Sequence, residues 1–460
     1  MSKRTMAWAA ALGLTTICAA MRVDARPLPT PQDAPPPRER RVPRPATSLS
    51  APDRAAALRE ITAAFEKMYV FPAMRPKIVA RLEESARAGR YELDDPAAFA
   101  ERITDDLRDV ADDKHLSLIF DPAAFAAAQA PPASDAGEEA RGRRRAIRRH
   151  HGLVETRVLA GNVRYLKIAG FEWVPDETGA AYDAAMRVLK GGDALIIDLR
   201  GNGGGSHAAV QYLVSHFLEP NTLEMTFLAG SDTPMQARSL EHLPAGRLTG
   251  KPLYVLIDGG VASAGEACAY DVQQFALGEL VGAKTVGAAN NNRHVPIAPG
   301  FILSVSYGRP VHAVSQGNWE GVGVAPTVEA LPAQALEVAH WLALERLMAR
   351  PDVSPEARAE YAWAKIGVEA RLHPVTMTDD RLRALADRYG DVDVQLRDGS
   401  LWLARSHRPT VRLVPLTANG LFAVEGVDDM RVRFTSAALE LLFLDAPGPR
   451  LFPRGHAIDR

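Results

Sequence analysis

Residues 193–206 read DALIIDLRGNGGGS, and residues 254–270 read YVLIDGGVASAGEACAY. Each is an apolar run that stops at an aspartate and glycines. The first opens into a glycine-rich turn, the second into a small-residue helix with Ser263 near its start. Glycines after a strand leave backbone N–H groups free to face a site, which is what a developing oxyanion needs. A serine at a helix N-terminus gains from the helix dipole and sits beside unpaired amides. One donor-rich turn and one presented hydroxyl in the same chain point to nucleophilic catalysis by Ser263. The plainer alternative is that Ser263 serves only as a helix cap.

The elements that position these turns follow from periodicity. Residues 1–25 predict an export signal: Lys3 and Arg4, then an uncharged apolar run from Met6 to Ala20, with a small-residue cleavage site at Val23-Asp24-Ala25 or Cys18-Ala19-Ala20. Residues 26–51 read as a Pro-rich disordered linker. Residues 52–120 show helical spacing (Leu58, Ile61, Phe65; Phe99, Ile103, Leu107) and form an N-terminal helical domain ending in the strand-like DDKHLSLIF. Residues 121–153 are Ala-, Pro- and Arg-rich and read as a mobile linker. Strands then alternate with helices over 154–332, which predicts an α/β core with a parallel or mixed sheet. Within it, FILSVSYG alternates as a half-exposed strand would. Residues 333–385 read as a helical connector. Residues 386–460 read as a small antiparallel β domain, with a hairpin turn at Asp398-Gly399.

Bulk properties narrow the functional classes. At 460 residues the chain exceeds one ordinary core. Its 54 basic and 56 acidic side chains leave a net charge of −2, which gives no argument for nucleic acid or an anionic membrane. The basic runs RERRVPR (38–44) and RGRRRAIRR (141–149) read as solvated segments. Removal of the signal would leave Cys268 alone, hence no disulfide. His207, His294 and His312 lack metal-like spacing, so no metal and no cofactor are expected.

VRYLKIAGF, DALIIDLRGNGGG, GGVASAGE with LVGAKTVG after it, and NWEGVGVAP follow one another in this order. In that order they resemble the C-terminal-processing, or tail-specific, serine peptidases, the group that includes the tricorn core and the interphotoreceptor retinoid-binding-protein-like proteins. The resemblance covers roughly residues 55–330. It implies a ClpP/crotonase-like core, Ser263 as nucleophile, and an oxyanion hole from the N–H of Ala264 and of Gly203 or Gly204. Tail-specific members use a Ser/Lys dyad, but this chain has Thr285-Val286-Gly287-Ala288-Ala289 where that lysine belongs, and Lys284 does not match. The tricorn-like branch uses Ser, His and Glu. His115 in DDKHLSL matches its histidine block, and Glu320 in NWEGVGVAP matches its glutamate. The chemistry is coherent, since an imidazole that titrates near neutrality can take a hydroxyl proton and a carboxylate can orient it. Asp198, Arg200 and Asn202 are expected to fix the glycine turn, and Glu266 to sit at the helix dipole. The roughly 40 residues between Phe120 and Val163 are too few for a PDZ domain of about 80–90 residues.

These readings predict an exported, periplasmic or secreted serine endopeptidase. It would act on peptides or unfolded proteins through an acyl-enzyme, with neither nucleic acid nor stable membrane insertion. The alternative is a non-catalytic binding protein for apolar ligands or peptides on the same fold. Oligomeric state is not legible.

Overall fold

The computed structural model describes residues 48–129, 135–229 and 233–455. The expected export signal at 1–25 and most of the linker at 26–51 lie outside them. The described chain opens with α1 (Ala51–Met68), α2 (Arg75–Arg87) and α3 (Pro96–Ala111). Each has a proline in its first turn, where the missing N–H costs nothing. Ser50 and Asp53 cap α1 reciprocally, at 3.3 and 3.1 Å, and Asp95 caps α3 at 2.9 Å. Asp112, left-handed at φ 48°, ends α3 and turns the chain back.

Next come β1 (Ser117–Phe120), α4 (Pro122–Gln129) and α5 (Asp135–Arg148), so the stretch expected as a linker carries two helices. Salt bridges from Arg145 and Arg149 to Glu172 tie α5 and its C-terminal end to the core. The core then runs β2 (Leu153–Leu159), β3 (Val163–Ile168), α6 (Thr178–Lys190), β4 (Ala194–Asp198), α7 (His207–Ser215), β5 (Leu223–Ala229), β6 (Met235–Arg238), β7 (Leu253–Ile257), α8 (Ala264–Gln274) and β8 (Glu279–Gly282). It closes with β9 (Asn291–Ile297), β10 (Phe301–His312) and β11 (Val328–Glu329). The order β11-β8-β7-β4-β3-β2 makes a six-stranded sheet, parallel except for the antiparallel edge β2.

Every residue of β4 and β7 is buried. Alternate residues face opposite layers, as the pleat requires. Leu195, Ile197, Val255 and Ile257 pack on α6, α7 and α8, for example against Met186, Leu213 and Cys268. Ala194, Ile196, Tyr254 and Leu256 pack on α9 (Ala335–Met348) and α10 (Pro355–Leu372). Thus the helices read as a connector form the second outer layer, because a parallel sheet must be covered on both faces.

A second sheet, β1-β10-β5-β6 with β9 beside β10, is antiparallel. β1 lies against β10 with Ser117 opposite Ser304 and Phe120 opposite Phe301. Phe301, Leu303 and Val305 share one core with Ile61 and Phe65 of α1 and with Phe99 of α3. Ser304 and Ser306, which suggested an exposed face, are buried too. After α11 (Asp379–Leu385), eight strands from β12 (Arg388–Tyr389) to β19 (Arg450–Pro453) form one antiparallel sheet, each strand pairing with the next. Asp398 and Gly399, both at positive φ, make the tight turn between Arg397 and Ser400, as read from the sequence. The α/β core, N-terminal helices and C-terminal antiparallel sheet have the expected fold class. No helix among the described residues is long and apolar enough to cross a membrane.

Candidate active site

The glycine turn leaves β4 at Asp198, which is buried with 1% exposure. Its carboxylate accepts Arg200 Nε (2.9 Å), the Arg200 N–H (2.9 Å) and the Tyr165 hydroxyl (2.8 Å), with Lys167 Nζ at 3.2 Å. Burial pushes this carboxyl up, but Arg200, Tyr165 and Lys167 outweigh it and hold it below the usual range. Asn202 is wholly buried and clamps three segments. Its Nδ2 donates to Ile168 O (3.1 Å), its Oδ1 accepts the Gly204 N–H (2.9 Å), and its carbonyl accepts the Ala262 N–H (3.0 Å). Gly204 has φ 104°, and a Cβ there would lie 2.8 Å from the Ser263 Cβ. Only glycine fits that approach.

Ser263 joins β7 to α8 at φ 52° and ψ −120°, a strained conformation for a residue with a side chain. The strain is sustained by Glu266, which is wholly buried. Its carboxylate accepts the Ser263 N–H (3.0 Å), the Thr285 hydroxyl (2.6 Å), and the Gly287 and Ala288 N–H groups (2.6 and 2.8 Å). Glu266 stands in the first turn of α8, as expected of a dipole partner, and also ties the loop 285–288 to the serine turn. The Gly203 N–H has no acceptor among the described residues, whereas that of Gly204 is committed to Asn202. The Ala264 N–H, first in α8, precedes the helical ladder.

His115 sits between α3 and β1, its side chain 13% exposed. Its Nδ1 lies 3.7 Å from Glu320 Oε2 and 3.8 Å from Asp113 Oδ1, just beyond hydrogen-bonding reach of both. Glu320 Oε2 accepts the Ala289 and Asn290 N–H groups at 2.6 and 2.8 Å. Burial pushes the Glu320 carboxyl up; the His115 ring and these two amides more than reverse it and leave it below its ordinary value. Asp113, 1% exposed, is driven above the usual range by burial, with the Glu320 charge adding to it.

The structure therefore brings His115 to Glu320, and Gly204 to Ser263. The two halves meet on one loop: Glu266, beside Ser263, holds Gly287 and Ala288, while Glu320, beside His115, holds Ala289 and Asn290. No hydrogen bond joins His115 to Ser263 among the described residues. Lys284 is exposed, and Lys114 Nζ donates to the Val286 carbonyl. Asp113, Tyr69, Asn290 and the bridging role of Glu266 were missed in the sequence; only Asp113, two residues from His115, lay inside a recognisable block.

Asp113, His115 and Glu320 are the one group among the described residues whose donor atoms lie close enough together, within 4.8 Å, to hold a metal ion. Their carboxylate oxygens are already engaged by N–H and O–H donors, which suits the orientation of a ring better than the holding of an ion.

Residues 162–330 match the profile of peptidase family S41. A curated relative, the carboxy-terminal processing protease CtpB of Bacillus subtilis (strain 168), is 26% identical over 178 residues. The match spans 38% of this chain and 35% of that relative. Solved structures with a similar chain course include the photosystem II D1 C-terminal processing protease (TM-score 0.41, 17% identity, 62% of this chain and 94% of that one). The tricorn protease is another (TM-score 0.41, 12% identity, 64% and 37%). The α/β core, over residues 162–330, is thus similar to peptidase family S41, and the matched stretch spans about a third of the curated relative's length.

Proposed function

We propose that the protein is an exported serine endopeptidase that hydrolyses peptide bonds in peptides or unfolded proteins through an acyl-enzyme. The observation that carries this reading is the strained Ser263 at the strand-to-helix turn, with the glycine turn against its Cβ. Such a turn lifts a hydroxyl clear of its own backbone and sets it beside unpaired amides, the arrangement of a nucleophile elbow. His115 is the base. Its Nδ1 faces carboxylates, so Nε2 is the lone pair that takes the Ser263 proton as Oγ attacks the carbonyl carbon. The resulting oxyanion lies between the Gly203 and Ala264 N–H groups. His115 then returns the proton to the departing amine, and water, activated by the same ring, hydrolyses the ester. Glu320 orients the imidazole and stabilises its charged form. Export rests on the composition of residues 1–25.

Casein digestion followed by mass spectrometry, wild type beside Ser263→Ala, tests the reading. Fragments from the wild type alone are expected, with an unchanged thermal melt for the variant. A fluorophosphonate probe should label Ser263 irrespective of substrate preference. Neither cleavage nor labelling would replace this reading with the non-catalytic binding protein.

A further inference from the structure

We propose that Asp113 is a second positioning residue for His115, sharing the Nδ1 proton of the ring with Glu320. This rests on the reading of His115 as base. Nδ1 is buried without a partner, and the two carboxylate oxygens stand almost equidistant from it, at 3.7 and 3.8 Å. A ring tilt of under about 1 Å closes a hydrogen bond to either. Catalytic contacts of this kind are often long before substrate binds.

Neither carboxylate is free to drift. Asp113 Oδ1 accepts the His115 N–H at 3.0 Å; Oδ2 accepts the Tyr69 hydroxyl at 3.3 Å and Asn290 Nδ2 at 3.2 Å. Glu320 is held by the Ala289 and Asn290 amides and, at 3.4 Å, by the Lys114 N–H. Asn290 touches both: its backbone donates to Glu320 and its side chain to Asp113. One residue therefore sets the spacing of the pair. The titratable groups around the ring are Asp113, Tyr69 after α1, Glu320, and Lys114, whose ammonium is turned onto Val286. Whichever acceptor the ring leans on, the proton stays on Nδ1, so Nε2 keeps its lone pair for Ser263. A lone orienter would lose that tautomer when removed; a shared one would not.

The competing role for Asp113 is structural, as a cap on the 113–115 turn through the His115 N–H. Asp113→Asn keeps an acceptor there and removes the charge. The test is a double-mutant cycle of Asp113→Asn and Glu320→Gln, read as kcat/KM on fluorescent casein from about pH 5 to pH 9. Each single variant should lose roughly ten-fold. The double should fall by about 10³–10⁴, well beyond the roughly 10² product of the singles. The acid limb of Asp113→Asn should move to lower pH, because an amide favours an imidazolium less than a carboxylate does. Multiplicative losses with an unmoved acid limb would overturn the proposal. Should Asp113→Asn not fold, the downfield Nδ1–H proton resonance of His115 decides. Its persistence in Glu320→Ala, which leaves no acceptor at that position, supports Asp113 as acceptor, and its loss refutes it. Turnover that survives His115→Ala would instead sink the reading of His115 as base.

Discussion

At the scale of single residues, the proposed mechanism divides the site into groups that react and groups that hold them. Ser263, His115 and Glu320 could be proposed from the sequence because each lies in a short block of characteristic residues. The holders were not, because their meaning lies in contacts between distant positions. Tyr69 meets Asp113 across 44 positions and Asn290 meets it across 177. Nor does any spacing announce that Ser263 takes a positive φ. The roles differ in cost. His115→Ala removes the proposed base and should lower kcat by about 10²–10⁴, measured on casein at saturating substrate. Glu320→Gln should lose roughly ten-fold, since the orienting group contributes less than base or nucleophile and Asp113 stands beside it.

Among elements, the loop 285–290 governs the geometry, though the sequence suggested only that it lacks a catalytic lysine. Glu266 gathers four donors from the serine turn and this loop. Glu266→Gln places an amide nitrogen against N–H groups, so one or more buried donors lose their acceptor. The expected cost is about 2–4 kcal/mol of stability with a parallel fall in turnover, read by thermal denaturation and kcat on one sample. An unchanged melting temperature would show that the loop is held by other means. The alternation of strands with crossover helices in the core followed from apolar runs, but two assignments did not. The polar members of FILSVSYG are buried because β10 has β1, β5 and β9 around it and α1 upon it. The amphipathic α9 and α10 looked like a connector because a sequence does not state which sheet face a helix covers.

For the molecule as a whole, buried groups shape the response to pH, Glu224 of β5 among them, beside Asp271 of α8, whose carboxyl burial also pushes up. Glu224 has no hydrogen-bond partner on either oxygen, and burial, with the Asp271 charge adding, pushes it up to about 9. Its folded state therefore keeps a proton that the unfolded chain gives up above the ordinary glutamate range near 4.5. Stability from this group is complete below that range and declines as pH rises toward 9. Glu224→Gln, which mimics the neutral acid, should raise the melting temperature at pH 8 by several degrees, at about 2–4 °C per kcal/mol, and flatten its pH dependence. A variant that melts lower at pH 8 would contradict this. A different consequence follows from β1 lying along β10. Lys114, next to the proposed base, touches a glutamate that lies 206 positions further along the chain. For an exported chain, a molecule still threading through its pore would carry its histidine long before the acid that steadies it. On the proposed mechanism such a half-emerged chain could not digest itself or its neighbours, and folding would itself be the safety catch.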